Sequence, residues 1–210
     1  MADSLTTPRL ILRRWRPSDR EPFRAMNADP RVMEFFPSTL TSVESDELAD
    51  RIEAHFRTHG FGGFAAELRA TGAFIGFIGL AVPDFDSSIL LPLSARTDPH
   101  PPQVFEIGWR LAHSAWGQGL ATEGAHAVVR YAFETLKLPS LVSFTVPANL
   151  RSRHVMEKIG MLYDPSADFL HPKIPEGHPL SPHVLYRLIR LSVPPSAHPP
   201  SAAPGPRSAA

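Results

Sequence analysis

Apolar and polar residues follow two different spacings along the chain. Short runs of alternating or continuous apolar residues predict strands at 9–14, 61–68, 73–81, 104–111, 141–146 and 184–193. Apolar residues three and four positions apart predict helices at 18–27, 41–60, 119–136 and 149–159. Because helices and strands interleave, the pattern indicates an α/β or α+β class with a mixed sheet.

Cap and turn residues support several of these boundaries. Residues 18–21 and 41–44 both match the capping-box pattern, in which a hydroxyl and a carboxylate three residues later bond each other's backbone N–H. Residues 70–72 predict a hairpin turn between two of the strands. Gly160 predicts the end of the last helix.

The 23 prolines of the 210 residues are unevenly distributed. Five fall in 83–102, five in 164–183 and six in 194–210. Since proline breaks helices and central strands, the first two stretches are predicted to be loops inserted into one domain of residues 1–193. The Pro/Ala-rich stretch 194–210 is predicted to be a disordered tail.

Composition excludes several classes of protein. The 21 basic residues balance the 21 acidic ones, which argues against a nucleic-acid partner. The absence of cysteine excludes disulfides and thiolate metal sites, and the histidines of 164–183 fit no zinc spacing, so no metal is expected. No apolar run reaches the roughly 20 residues of a membrane span. With no signal-peptide pattern at residue 1, the sequence predicts a cytoplasmic protein without a membrane partner.

A glycine turn between strand 104–111 and helix 119–136 is a candidate anion site. Gly117 and Gly119 let the backbone turn sharply and bring its N–H groups close to a ligand, and the helix start adds free donors. The alternative is that the glycines only shape the turn. Thr122 stands where a dinucleotide loop has its third glycine, and no lysine follows as in a nucleoside-triphosphate loop.

Two separated signatures resemble the GNAT (general N-acetyltransferase) superfamily, most closely its ribosomal-protein N-terminal acetyltransferases. The first is Glu106-Ile-Gly-Trp, followed by Trp116-Gly-Gln-Gly-Leu-Ala-Thr-Glu-Gly. The second contains Asn149, Ser152, Val155, Met156, Lys158, Gly160 and Met161. The opening segment 7–13 is also similar to that branch, so the likeness runs from about residue 7 to 193.

The resemblance implies a fold and a cofactor. The fold would be α+β, a mixed and mostly antiparallel twisted sheet flanked by helices, with splayed central strands. Acetyl-CoA would be the co-substrate, with its pyrophosphate on the glycine turn and its pantetheine arm along strand 104–111, like an added strand. The residues implied in binding it are Trp109, Leu111, Trp116, Gly117, Gln118, Gly119, Leu120, Ala121, Thr122, Asn149 and Ser152.

The resemblance also implies direct acetyl transfer to a primary amine, without an acyl-enzyme. Glu106 is the candidate general base, acting through a water, and its other interpretation is a surface or salt-bridged strand carboxylate. Ser152 is the candidate proton donor for the leaving thiolate. Tyr186 is the alternative donor, or else a packing residue. Asn149 is also a suitable N-cap for its helix.

Two classes of function therefore remain open in the sequence. The first is an N-acetyltransferase for a protein N-terminus or a small-molecule amine, with the insertions 83–102 and 164–183 walling the acceptor site. The second is a non-catalytic acyl-CoA-binding sensor or partner module of the same fold. A homodimer is common in the branch that the chain resembles, and the sequence does not decide the oligomeric state.

Overall fold

A computed structural model describes residues 3–92 and 102–190. A nine-stranded sheet contains strands from both ends of this part of the chain, in the order β1-β2-β3-β4-β5-β6-β9-β7, with β8 paired to β9. The strands are β1 Ser4–Thr6, β2 Leu10–Arg13, β3 Gly63–Leu68, β4 Phe74–Ala81, β5 Glu106–Leu111, β6 Ser140–Thr145, β7 Leu162–Tyr163, β8 Phe169–Leu170 and β9 Pro182–Ile189.

In residues 3–92 and 102–190, four α-helices accompany the sheet. They are α1 Arg20–Asn27, α2 Ser42–His59, α3 Leu120–Arg130 and α4 Leu150–Lys158. A π-helical turn, Tyr131–Thr135, continues α3. None of the helices in the described part of the chain is both long and apolar enough to cross a bilayer.

One strand pair differs from the others in direction and length. Every neighbouring pair in the sheet is antiparallel except β5 and β6, which run parallel. Glu106 pairs with Val142, and this is the one residue pair that joins the two strands along the lengths described. The strands therefore separate beyond Glu106, which confirms the α+β class with splayed central strands.

Helix α3 packs closely against the sheet beside this separation. Ile107 and Leu111 of β5 and Leu120 and Val128 belong to the same buried cluster. Gly124 makes the close packing possible, since a Cβ there would lie 2.3 Å from Cδ1 of Ile78. The start of α3 is thereby fixed at the end of β5.

Most predicted elements are present with small changes of boundary. The capping box of α2 is confirmed, because the Glu44 carboxylate accepts from the Thr41 N–H at 2.8 Å and the Glu44 N–H donates to Oγ1 of Thr41 at 3.3 Å. The last strand ends at Ile189 rather than at residue 193. Residues 93–101 of the first insertion, residues 191–193 and the predicted tail 194–210 lie outside the described residues.

Two local predictions are wrong. Residues 18–21 do not cap α1; a 3-10 turn at 17–19 precedes the helix instead, and Asp19 is used in a buried ion pair. The stretch 164–183 is not only loop, because it contains β8 and the start of β9. The cause is a pairing between distant residues, Phe169 with His183, which local proline content does not report.

A buried ion network fixes the start of α1 to the sheet. The Arg13 guanidinium donates to both carboxylate oxygens of Asp19, at 2.7 and 2.8 Å, and its Nε donates to Glu67 at 2.7 Å. All three residues are at most 9% exposed. The hydrogen bonds to Asp19 outweigh the effect of burial and, with those to Glu67, hold the pKa of Arg13 well above its usual range.

The substitution Arg13→Met would leave two buried carboxylates without their main partner. We expect the free energy of unfolding, measured by urea denaturation, to fall by about 3–5 kcal/mol. Arg57→Met is the control, because Arg57 is exposed and lies 3.9 Å from Glu53, and its change should stay within about 0.5 kcal/mol. Equal effects of the two substitutions would contradict a stabilising role for the network.

Candidate active site

A cavity of about 720 Å³ lies where β5 and β6 separate. It is bordered by β5, the glycine turn, the start of α3, the start of α4 and residues of the second proline-rich segment. The sequence-predicted site residues that line it are Glu106, Trp109, Leu111, Trp116, Gly117, Gly119, Leu120, Ala121, Thr122, Asn149 and Ser152. Separated stretches of the chain therefore meet at one place.

The glycine turn has the conformation that the sequence predicts. Gly117 has φ 73° and Gly119 has φ 74°, both in the left-handed region that favours glycine. No atom lies within 4 Å of a Cβ built at Gly117, so the backbone conformation rather than lack of space requires glycine. Since Gly119 caps α3, the N–H groups of the next three residues have no acceptor within the helix.

Glu123 ties this turn to the beginning of the chain. One carboxylate oxygen accepts from the Thr7 hydroxyl at 2.6 Å and from the Arg9 N–H at 2.8 Å, and the other accepts from Nε of Arg9 at 2.6 Å. Arg9 also donates to the Gln118 carbonyl at 2.9 Å. Burial opposes ionisation of Glu123, but these hydrogen bonds lower its pKa. The Thr-Pro-Arg segment therefore supports the turn directly.

The side chains around the turn have mainly structural contacts. Gln118 does not line the cavity, and its amide donates to the Ser114 carbonyl at 2.9 Å. Trp116 lines the cavity while its Nε1 donates to the Leu111 carbonyl at 2.9 Å. The turn thus presents backbone and the Trp116 side chain to the cavity, while the Gln118 side chain helps to hold its shape.

Glu106 is an unpaired carboxyl at the point where the strands part. It is half-buried, it lines the cavity, and it has no hydrogen-bond or ion-pair partner among the described residues. Burial, together with the nearby charge of Asp84, raises the pKa of Glu106 to about 7. A carboxyl with this pKa exchanges protons readily near neutral pH, as a general base must.

Helix α4 brings Asn149 and Ser152 to the opposite side of the gap. Oδ1 of Asn149 accepts from the Ser152 N–H at 3.1 Å, so Asn149 caps the helix, and its Nδ2 donates to Thr145 at 3.0 Å. One amide hydrogen of Asn149 remains for a ligand. The Ser152 hydroxyl has no hydrogen-bond partner in residues 3–92 and 102–190.

Tyr186 is the one predicted catalytic residue that the structure does not bring to the cavity. It is 1% exposed and absent from the lining. Its hydroxyl donates to Glu157 at 3.2 Å and accepts from Nε of Arg153 at 3.1 Å. These contacts place the hydroxyl against α4 rather than in the gap between β5 and β6.

Several lining residues were not identified from the sequence. Arg110 lies on the same face of β5 as Glu106, and the alternation of the strand could have indicated it. Arg151, two residues after the N-cap of α4, stacks 4.6 Å over the Trp116 ring. His171, Lys173 and His183 come from the second proline-rich segment. That segment has no periodic pattern from which their position could be inferred.

Comparisons with known proteins give the class of this chain. Residues 9–162 match the family model described as the acetyltransferase (GNAT) domain. The chain is similar to the FsC-acetyl coenzyme A-N(2)-transacetylase of Aspergillus fumigatus, with 34% identity over 164 residues. That match covers 76% of this chain and 65% of the relative's length. The chain therefore belongs to the GNAT acetyltransferase family, whose members use acetyl-CoA.

Solved structures agree with this family. An acetyltransferase from Agrobacterium tumefaciens str. C58 has a TM-score of 0.67 and 29% identity, covering 90% of this chain and 96% of that one. The spermidine N-acetyltransferase of Vibrio cholerae, in complex with CoA and spermine, shares the fold with a TM-score of 0.62 at 16% identity. The alignment covers 86% of this chain and 95% of the spermidine N-acetyltransferase chain. The acetyltransferase class predicted from the two signatures is confirmed.

The environment of Glu106 makes a prediction that does not depend on activity. We expect its carboxyl carbon, followed by ¹³C NMR, to titrate near pH 7. Asp84→Asn removes a neighbouring negative charge, so the pKa of Glu106 should fall. Asp86→Asn is the control, since Asp86 caps the nearby turn at Ser88 without acting on Glu106. A titration near pH 4 in the unmodified protein would contradict the buried environment.

Proposed function

We propose that this chain transfers an acetyl group from acetyl-CoA directly to a primary amine, with Glu106 as the general base. The observation that carries the proposal is the unpaired, partly buried Glu106 carboxyl, in a cavity that also contains the glycine turn. Binding of acyl-CoA alone requires no proton transfer, so a non-catalytic binding module does not need a carboxyl that is half-ionised at neutral pH. The family membership supports the same reaction.

The lining fits acetyl-CoA. The N–H groups from Gly117 to Thr122 stand at the positive end of α3, which suits a pyrophosphate. Beyond Glu106, the edge of β5 that faces β6 has no partner strand. The amide-rich pantetheine arm has the hydrogen-bond donors and acceptors to take the place of that strand. Asn149 would bond that arm with its remaining amide hydrogen. Acetyl-CoA supplies the acetyl group as a thioester.

The residues of the cavity then account for both proton transfers. Glu106, through a water, takes the proton that the ammonium form of the acceptor must lose before it attacks the carbonyl carbon. The C–N bond forms, the C–S bond breaks, and the Ser152 hydroxyl gives its proton to the leaving sulfur while it takes up the second proton that the acylated nitrogen must lose. Ser152 is preferred to Tyr186 because it lines the cavity and its hydroxyl is free within the described residues.

The proline-rich segments border the proposed acceptor side. His171, Lys173 and His183 of the second segment line the cavity, and Asp84 of the first forms an ion pair with Lys173. This supports the expectation that both segments wall the acceptor site. The acceptor is a protein N-terminus or a small amine; the homodimer and the cytoplasmic location stay predictions from the sequence.

Glu106→Gln separates catalysis from binding. We expect calorimetry to show acetyl-CoA binding in both proteins, while the variant's kcat/KM for amines falls by about 10²–10⁴-fold. In the unmodified protein kcat/KM should rise with pH up to about 7, because the base must be deprotonated, and the variant should lose this limb. Binding without turnover in the unmodified protein would favour the sensor module instead.

Gly117→Ala tests the glycine turn against a matched control. Gly117 and Gly72 have φ of 73° and 71°, and a Cβ at either would meet no atom within 4 Å. Alanine therefore costs about 1–2 kcal/mol of backbone strain at both positions. Only Gly117→Ala should weaken acetyl-CoA binding, by roughly 5–30-fold in calorimetric Kd. Equal affinities of the two variants would contradict the placement of the pyrophosphate.

A further inference from the structure

Arg110 is a cation on the acceptor-facing side of β5. The side chains of Ile107 and Leu111 pack in the cluster beneath α3, and those of Glu106 and Arg110 point to the other face of the strand. Arg110 stands opposite Phe77 in the β4–β5 register and reaches Asn27 of α1. It lines the same cavity as Glu106.

The contacts that hold Arg110 are all neutral. Its Nη1 donates to Oδ1 of Asn27 at 2.7 Å, and Asn27 in turn donates to the Ser45 hydroxyl at 2.9 Å. Asn27 and Ser45 are fully buried, so two helices fix the amide that receives the guanidinium. The ring of Phe36 lies 4.1 Å from the guanidinium carbon. Within the described residues no carboxylate lies within 4.0 Å of Arg110.

Arg110 differs in this respect from its neighbours in the cavity. Arg151 forms an ion pair with Glu34, and Lys173 forms one with Asp84, so their charges are compensated within the chain. Arg110 is partly buried, its buried Nε has no hydrogen-bond partner among the described residues, and burial lowers its pKa to about 10. It stays charged at neutral pH, and an uncompensated cation out of water is unfavourable unless a ligand supplies the anion.

We propose that Arg110 binds a carboxylate of the acceptor, so that the substrate is an amine carrying a carboxylate several bonds away. The inference rests on the proposed function, which puts the reacting amine near Glu106. Glu106 and Arg110 are four residues apart on an extended strand, which separates their Cα atoms by about 13 Å. The amine and the carboxylate of a single α-amino acid lie too close together to span this distance. An ω-amino acid does, as does a peptide with an acidic side chain near its N-terminus.

The test compares acceptors that differ only in charge. With acetyl-CoA saturating, kcat/KM is measured for 6-aminohexanoate and for 6-aminohexanamide. We expect the carboxylate to be preferred by at least roughly tenfold, as for other charge-assisted hydrogen bonds to arginine. Arg110→Gln should remove the preference. Arg57→Gln, on an exposed arginine of α2, should leave it unchanged.

A second variant tests the free charge without removing the guanidinium. Asn27→Asp keeps the acceptor oxygen at Arg110 and adds a negative charge, which should occupy Arg110 and also abolish the preference. Binding can also be measured without turnover, by using 6-acetamidohexanoate, the acetylated product that keeps the carboxylate. It should raise the Tm of the unmodified protein and leave the Tm of Arg110→Gln and of Asn27→Asp unchanged. The tripeptide amides Ala-Ala-Asp and Ala-Ala-Asn form a second pair, which shows whether a peptide or a small amino acid supplies the carboxylate.

The outcomes separate this inference from the proposed function. Equal turnover within both pairs, 6-aminohexanoate against 6-aminohexanamide and Ala-Ala-Asp against Ala-Ala-Asn, would overturn the inference and leave the acetyltransferase proposal intact. Weaker acetyl-CoA binding by Arg110→Gln with an unchanged preference would also overturn it, since Arg110 would then serve the cofactor. Failure of the unmodified protein to bind acetyl-CoA and to acetylate any of the four probes would overturn both.

Discussion

The site depends on the incomplete pairing of β5 with β6. These two parallel strands meet at one residue pair, Glu106 with Val142, and then diverge. Backbone N–H and C=O groups need partners, so an edge left open inside a sheet favours a ligand that can act as the missing strand. The same divergence creates the cavity and leaves the Glu106 carboxyl unpaired at the point where the two strands separate. Cofactor binding and proton transfer thus share one structural cause.

An extended strand also keeps two opposite charges apart. In an α-helix, residues four positions apart are neighbours, and Glu106 and Arg110 would neutralise each other. On β5 they share a face but lie about 13 Å apart. The antiparallel pairing of β5 with β4 runs through all six residues of the strand, so this separation is held rigidly. The result is a cavity with a weak acid near one end and a cation near the other.

Local patterns predicted the parts of the site that depend on local conformation. The positive φ of Gly117 and the caps at Thr41 and Asn149 follow from neighbouring residues, and the sequence identified them. Contacts between residues distant in sequence could not be predicted from such local patterns. The contact of Arg110 with Asn27 joins residues 83 apart, and the Arg13–Glu67 pair joins residues 54 apart. The sequence left Tyr186 as either an alternative proton donor or a packing residue, because its contacts with Arg153 and Glu157 of α4 join residues about 30 positions apart.

The contact between Arg9 and Glu123 bears on the order in which the domain is assembled. It joins residues 114 positions apart, so loop-closure entropy opposes it until much of the intervening chain is folded. The glycine turn therefore obtains its support late in folding, after the local hairpin of β3 and β4. During synthesis Thr7 and Arg9 must wait for more than half of the chain before Glu123 exists. A fragment that lacks either end of this contact has the turn's sequence without the support that fixes its shape.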